Sequence, residues 1–327
     1  LIGQFGVGFY SAFMVASRVD VMTRKAGEDG AWLWSSDGKG SFTIEPAQRD
    51  KSGTTVTLHL KKDAKEFAED ARIRHIIKTY SEQISFPVKL GDETLNAAEA
   101  LWIRPAKDIS DEQYAEFYRH SSHAFDEPWH VMHNKVEGTL NHTSLLFVPT
   151  VPPFDLFDAE RKSHVKLYVN RVFISETTKD LVPTYLRFLR GIVDSQDLSL
   201  NVSREMLQTD PKLTKIKTQV KKKVLSELKK KATNAPQEYS DFWDNFGAVL
   251  KEGLIEDPAL RDRILEICRF ASTGEDALTS LSDYVSRMKD GQDAIFYIAG
   301  EDAAKLAQSP HLEGFKAKGV EVLLLSD

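Results

Sequence analysis

Apolar residues change their spacing partway along this chain, and that change limits the fold more than any other feature. Between residues 18 and 61 they alternate. The runs "RVDVMTRK", "AWLWSS", "SFTIEP" and "GTTVTLHLK" are separated by turns bearing Gly and Asp. Period-two alternation of this kind predicts an antiparallel meander, with Val56, Leu58 and Leu60 on one face. From about residue 65 the spacing becomes helical, with Phe67, Ile73, Ile76, Ile77, Tyr80 and Ile84 in one stripe. The polar stretch "GDETLNAAEA" then interrupts the pattern and is the expected domain boundary.

The remainder mixes both periods. "SDEQYAEFYRH" reads as a helix, "KVEGTL", "TSLLFVP" and "VKLYVNRVFI" as strands, and "PTYLRFLRGIV" as a further helix. Three helices are expected from about residue 211 to 271. In the first, Leu213, Ile216, Val220, Val224 and Leu228 face inward and a run of lysines faces water. The tail "DAIFYIAGEDAAKLAQ…VEVLLLSD" reads strand, helix, strand, a small α/β unit with a parallel pair.

With 327 residues, 41% hydrophobic and 28% charged, the chain is long enough for two or three globular domains. No apolar run reaches the roughly 20 residues a spanning helix needs, so no membrane partner is expected. A formal net charge of −6 argues against nucleic-acid binding. The single cysteine, Cys268, lies in "RILEICRF" on what reads as the buried face of a helix, and a cytoplasmic location is the natural expectation. His120, His123, His130, His133 and His142 crowd one region, but no cysteine accompanies them and no HExxH pattern occurs, so no metal is assigned.

Two segments carry candidate chemistry. The opening "LIGQFGVGFYSAFMVA" places Gly3, Gly6 and Gly8 ahead of a helix expected over residues 9–16. It is neither a Walker A loop, since no G-K-[ST] follows, nor the dinucleotide fingerprint, whose third glycine is replaced by Ser11. The spacing is met equally by a plain turn and by a loop whose amides hold an anion. "SREMLQ" contains Arg204 ahead of a helix, and on chemistry alone an ion pair to Asp194, Asp197 or Glu205 is its simplest role.

These segments resemble the heat-shock protein 90 family, and the resemblance continues in order through the whole chain. It includes "SGTTVTLHLK", "RIRHIIKTYSEQISFPV", "ALWIRPAKDISDEQYAEFY", "VEGTLNHTSLLFVPTVPPFDLFD", "VKLYVNRVFI", "YLRFLRGIVDSQDLSLNVSREMLQ" and "SLSDYVSRMKDGQDAIFYIAG". The short boundary near residue 95 is similar to bacterial members. The resemblance implies a mixed α/β (α+β) fold. Residues 1–92 would be the end portion of the ATP-binding sandwich shared with gyrase, histidine kinases and MutL (the GHKL class). Residues 93–99 would form a short linker. Residues 100–327 would form an α/β middle domain with a three-helix segment and a small terminal α/β unit. Both ends are expected to be cut, with the start of the ATP-binding domain and a C-terminal dimerisation domain lying outside the chain.

The same resemblance implies roles. Gly3, Gln4, Phe5, Gly6, Val7, Gly8 and Phe9 match the loop whose amides hold the phosphates of ATP, bound with Mg2+, and Thr54 matches a threonine that helps hold adenine. Arg204 matches the arginine that contacts the γ-phosphate, with Gln208 beside it, and this replaces the simple ion pair as its expected role. Phe173 matches an apolar support for the arginine loop. Phe125 stands where relatives carry a tryptophan implicated in client contact. The implied activity is ATP hydrolysis coupled to clamp closure on partly folded client proteins, in a homodimer that co-chaperones can join. The catalytic glutamate is expected upstream of Leu1, so the chain alone is expected to be inactive, a binding module for clients or co-chaperones.

Overall fold

The computed structural model describes residues 7–96, 99–158, 160, 163–176, 181–198, 210–275 and 277–326. They fall into two units divided between Ala100 and Leu101, with Asn170–Val172 grouping with the first. The architecture is mixed α/β, as the sequence indicates.

In the first unit, a 3-10 turn (Val7–Ser11) and α1 (Ala12–Val15) lead into β1 (Ala16–Arg24), β2 (Ala31–Ser36), β3 (Phe42–Ala47) and β4 (Gly53–Leu60). The helix expected to reach Ala16 therefore ends at Val15, and Ala16 opens the strand. All three pairings are antiparallel, but the order is β3-β2-β1-β4, so β4 returns to lie beside β1 rather than continuing the meander past β3. The registers Val19↔Leu58 and Val21↔Val56 explain this, because they stack β-branched and aliphatic pairs on one face. Val19 is fully buried, whereas Val56, Leu58, Phe42, Ile44 and Trp32 on that face remain exposed.

The predicted helix over 65–84 is shorter than its apolar stripe. A 3-10 segment (Lys62–Ala68) gives way at extended Glu69 to α2 (Asp70–Tyr80). The polar boundary then forms a hairpin of β5 (Lys89–Leu90) and β6 (Glu93–Thr94), and Arg74 grips Glu93 through two bonds of 2.7 and 2.8 Å. Buried Asn96 ties the preceding loop down, accepting from Val88 N and donating to the Phe86 and Ile84 carbonyls.

The second unit is organised on a five-stranded sheet. Its helix α3 (Asp111–Ser122) starts at a complete capping box between Ser110 and Gln113. β7 (Pro128–Val136), β8 (His142–Pro149), β9 (His164–Val169), β10 (Val172–Ser175) and β11 (Arg190–Ser195) follow, in the order β10-β9-β11-β8-β7. Here the expected helix at "PTYLRFLRGIV" is corrected. Only Thr184–Leu186 forms a 3-10 turn, and residues from Arg190 onward make the central strand, parallel to β9 and antiparallel to β8. A strand buried on both faces loses the alternation that marks a half-exposed one, so its apolar run reads as a helix. Gly191 is the residue that betrays it. Its φ is +118°, and a methyl built there would drive into the Leu145 carbonyl oxygen.

Helices α4 (Pro211–Asn234) and α5 (Pro236–Lys251) pack beside this sheet. Leu213, Ile216, Val220, Val224 and Leu228 are buried, while the lysines pair outward, Lys221 with Asp257, Lys229 with Glu266 and Lys231 with Glu238. On α5, Phe242 stacks on Trp129 at 4.9 Å and Phe246 packs against Phe188, also at 4.9 Å. Buried Arg187 fastens the end of α5, donating to both Glu252 carboxylate oxygens (2.6 and 2.9 Å) and to the Leu156 carbonyl. The third expected helix is broken into short helical segments, Gly253–Glu256, Pro258–Leu260 and Arg261–Leu265, and Cys268 is buried just beyond them. The tail forms β12 (Ala271–Ser272), β13 (Tyr297–Ala299) and β14 (Leu323–Leu325), with β13 and β14 parallel as expected.

Gly191→Ala is predicted to cost about 3 kcal/mol or more, combining a positive φ with overpacking against backbone that cannot swing aside. Chemical denaturation of the purified chain measures it, and a loss of a few tenths would contradict the packing described. A second prediction concerns pH. Burial holds the His130, His133 and His142 imidazoles below the ordinary histidine range. Unfolding restores the ordinary value of about 6.5, so below that pH the unfolded chain takes up protons the folded one refuses. Stability is therefore fully present above about pH 6.5 and declines as pH falls toward the depressed folded values, before carboxylates begin to titrate. Denaturation midpoints at pH 7.5 and 5.5 test this, and equal midpoints would refute it.

Candidate functional site

Phe9, just after the last of the opening glycines, lies against the apolar face of the first unit. Gly3, Gln4, Phe5 and Gly6 lie outside the described residues, and Val7, Gly8 and Phe9 begin the 3-10 turn, where Ser11 Oγ donates to the Gly8 carbonyl at 2.6 Å. A methyl at Gly8 would meet nothing within 4 Å, so no packing among the described residues demands glycine there. The Phe9 ring meets Trp34 edge-on at 5.5 Å, and Trp34 in turn stacks on Phe42.

Thr54 belongs to the same face. Partners across antiparallel strands point to one side and neighbours along a strand to opposite sides. Trp34, Val21 and Val56 form one row across the sheet, and Trp32, Thr23 and Thr54 form the next row on the same side. The structure thus places Phe9 and Thr54 over one face of one sheet. Thr54 also has a partner that sequence reasoning missed, the Thr23 hydroxyl at 2.9 Å. Strand register alone makes that pair, and register cannot be read from either strand separately.

The opposite face carries a polar cluster. Arg18 grips Asp20 through two bonds (3.0 and 2.7 Å), His59 Nε2 sits 2.7 Å from the same carboxylate, and Ser35 donates to it. The Arg18 guanidinium holds the Asp20 carboxyl well below the ordinary range. Ser, His and Asp are all present, yet Ser35 donates to Asp20 rather than to His59, so no base is aimed at the hydroxyl. The cluster is an ion-pair network across three strands.

Arg204 and Gln208 lie outside the described residues. Of the acidic residues named above as partners for Arg204, Asp194 accepts from the buried Trp102 indole at 2.9 Å and Asp197 accepts from Asn141 N. Phe173 packs edge-on against Tyr168 at 5.7 Å, and Tyr168 lies 4.9 Å from Trp102, so this aromatic belongs to the layer that also holds Asp194. Phe125 is fully exposed, as is Phe154, and Phe157 is largely so.

Among the histidines, His133 is bracketed by the Tyr114 hydroxyl (2.7 Å) and the Trp102 carbonyl (3.0 Å), an arrangement that suits a neutral ring donating from Nε2. Among the described residues, buried His130 Nε2 and His142 Nδ1 find no hydrogen-bond partner, and the Glu227 carboxylate stands 4.0 Å from His130 Nε2. Among the described residues, no group of three or more His, Cys, Asp or Glu side chains is placed to hold a metal ion.

Comparison with known proteins matches residues 90–327 to the family model described as "Hsp90 protein". Along its full length the chain is 76% identical to "Chaperone protein HtpG" of Roseobacter denitrificans, covering 53% of that protein. It is 57% identical to the protein of the same name in Paramagnetospirillum magneticum, again covering 53% of it. Against the one in Rickettsia rickettsii the identity is 49% and the coverage 54%. The chain therefore spans about half the length of the curated relatives it matches. A family model covering most of the chain, together with full-length identity at these levels, leads to one conclusion: the chain belongs to the Hsp90 family.

Proposed function

We propose that this chain is a segment of an ATP-driven molecular chaperone that binds partly folded client proteins. The observation that carries the reading is the 76% identity over all 327 residues to a protein named as a chaperone. In this reading residues 1–92 contribute the last part of a nucleotide-binding domain, residues 93–99 a linker, and residues 100–327 a middle domain. The loop from Gly3 to Phe9 holds the phosphates of Mg·ATP through its amides, and Thr54 helps hold the adenine. The placement of Phe9 and Thr54 over one face supports this. Arg204, with Gln208 beside it, reaches the γ-phosphate and stabilises the charge that develops as the phosphoryl group transfers. The intact protein works as a cytoplasmic homodimer with co-chaperones among its partners, and hydrolysis is coupled to closure on the client.

Arg204→Ala in the full-length protein is predicted to reduce ATP turnover about a thousandfold while leaving nucleotide affinity within about twofold, since the contact forms chiefly in the transition state. Steady-state turnover and a calorimetric titration measure the two quantities. Unchanged turnover would remove Arg204 from the mechanism.

A second reading, a client- or co-chaperone-binding module without its own ATPase, is favoured for the chain alone by one specific observation. Phe125, Phe154 and Phe157 expose large aromatic surface within the second unit. Replacing Phe154 and Phe157 together by Ser is predicted to weaken suppression of client aggregation several-fold at unchanged folded stability. Equal suppression by the double variant would refute the role of these rings.

A further inference from the structure

We propose that the second unit carries an oxyanion site beside the start of β11, where the buried Arg190 guanidinium, together with Lys166 and the Ser163 hydroxyl, takes one phosphate-sized anion.

Register brings the cations together. Arg190 opens β11 directly across from His164, the first residue of the parallel strand β9, and Ile192 lies across from Lys166. Partners across a ladder share a face, and every second residue of a strand returns to it, so Arg190, His164 and Lys166 leave the sheet on one side. Helix α3 covers that side, since Phe147, opposite Arg190 on β8, packs against Tyr118 at 5.3 Å. The end of α3 (Ser121–His123) and the sheet enclose a cavity of about 230 Å³, lined also by Ser163, His164, Lys166, Glu176 and Arg190.

Arg190 is short of acceptors. The residue is only 9% exposed. Its Nη1 donates to the Arg187 and Leu189 carbonyls, at 3.1 and 3.3 Å. Its Nη2 stands 3.6 Å from Asp155 Oδ1, beyond hydrogen-bond length, and the other Asp155 oxygen is 2.7 Å from His164 Nε2. The Asp126 carboxylate is already engaged by the Tyr118 hydroxyl and by the Thr150 and Val151 amides. Among the described residues, then, neither Nε nor Nη2 of Arg190 makes a hydrogen bond. No carbonyl of α3 accepts from it there either, so a cation set against a helix end does not account for the residue. Burial holds the guanidinium below its ordinary range, and burial beside Arg190 does the same to the His164 imidazole. A buried donor left unsatisfied is costly, and an anion in the cavity removes that cost. Nε and Nη2 form one edge of the guanidinium, the fork that meets two oxygens of a phosphate.

Size and charge select the ligand. A cavity of about 230 Å³ is smaller than the roughly 300–1,000 Å³ of sites for drug-sized molecules, so it takes a phosphate group and not a whole nucleotide. Ser163 Oγ accepts from Val165 N at 3.4 Å, which leaves its proton free for the anion. Lys166 is the adjustable part. Its ammonium pairs with Glu176 at 3.4 Å, and the Glu176 side chain is 63% exposed. An exposed pair of this kind opens at little cost. The Glu176 carboxylate therefore competes with an incoming anion for Lys166.

The test uses the full-length protein carrying this chain, titrated calorimetrically at constant ionic strength with inorganic phosphate and with O-phosphoserine. A saturating non-hydrolysable ATP analogue is present throughout, which keeps phosphate out of the proposed nucleotide site. Because Arg190 is deeply packed, the variants are Lys166→Gln and Glu176→Gln, whose side chains reach solvent. Lys166→Gln is expected to weaken phosphate binding about tenfold, the worth of one charge-assisted hydrogen bond. Glu176→Gln is expected to tighten it by up to about fivefold, because the competing carboxylate is gone. With that pattern, tighter binding of inorganic phosphate marks a site for the free anion, and tighter binding of phosphoserine marks one for a phosphorylated side chain. Phosphate binding that neither variant alters overturns the proposal. So does the absence of any saturable heat, or weaker binding in Glu176→Gln.

Discussion

At Gly191 two strands of the second unit approach so closely that no side chain fits between them, and the packing of that unit is built around this approach. β11 is buried along its whole length, parallel to β9 on one side and antiparallel to β8 on the other. Because both faces are covered, neighbouring layers take their position from it. Arg187, just ahead of the strand, ties Glu252 and the Leu156 carbonyl together. Asp194, within the strand, accepts from the Trp102 indole N–H, and the Trp102 backbone carbonyl in turn faces His133. Removing one partner of a buried, hydrogen-bonded charge such as Arg187 leaves the other stranded, which is why such pairs are costly to break even where forming them gains little.

The first unit has the opposite character. One face of its four-stranded sheet is apolar and the other carries the Arg18–Asp20–His59 network. The buried row is narrow, with Val19 covered and Val56, Leu58, Trp32, Phe42 and Ile44 open. The 3-10 turn bearing Phe9 is seated on that apolar face, and Thr54 occupies the next row beside it. A polar pair, Thr23 and Thr54, set within an apolar surface is a local exception to the pattern, and such exceptions are where binding residues are found.

How much of this was legible in the sequence follows from what each element exposes. Half-exposed strands such as β1 and β4 announce themselves by alternation, and α4 by its five buried aliphatics opposite paired lysines. β11 reads as a helix in the sequence because burial on both faces erases its period, and Gly191 is the local sign against that reading. The return of β4 to β1 was hidden because pairing order depends on which apolar rows match, a property of two strands together. For the same reason Thr23 escaped notice while Thr54 did not: the former is recognisable only once register is known. Unaided chemistry took the opening glycines no further than a turn or an anion cradle. The roles assigned to Thr54, Arg204 and Gln208 came from family resemblance, and residue spacing contained no equivalent signal.

The central functional claim is that the face shared by Phe9 and Thr54 lies against an adenine nucleotide. Photo-crosslinking tests it directly, with an ATP analogue reactive at the base added to the full-length protein and the labelled peptides mapped by mass spectrometry. The account predicts label in the peptide spanning Gly53–Leu60, abolished by excess ATP. Label confined to peptides beyond residue 100, or label that excess ATP leaves in place, would contradict it.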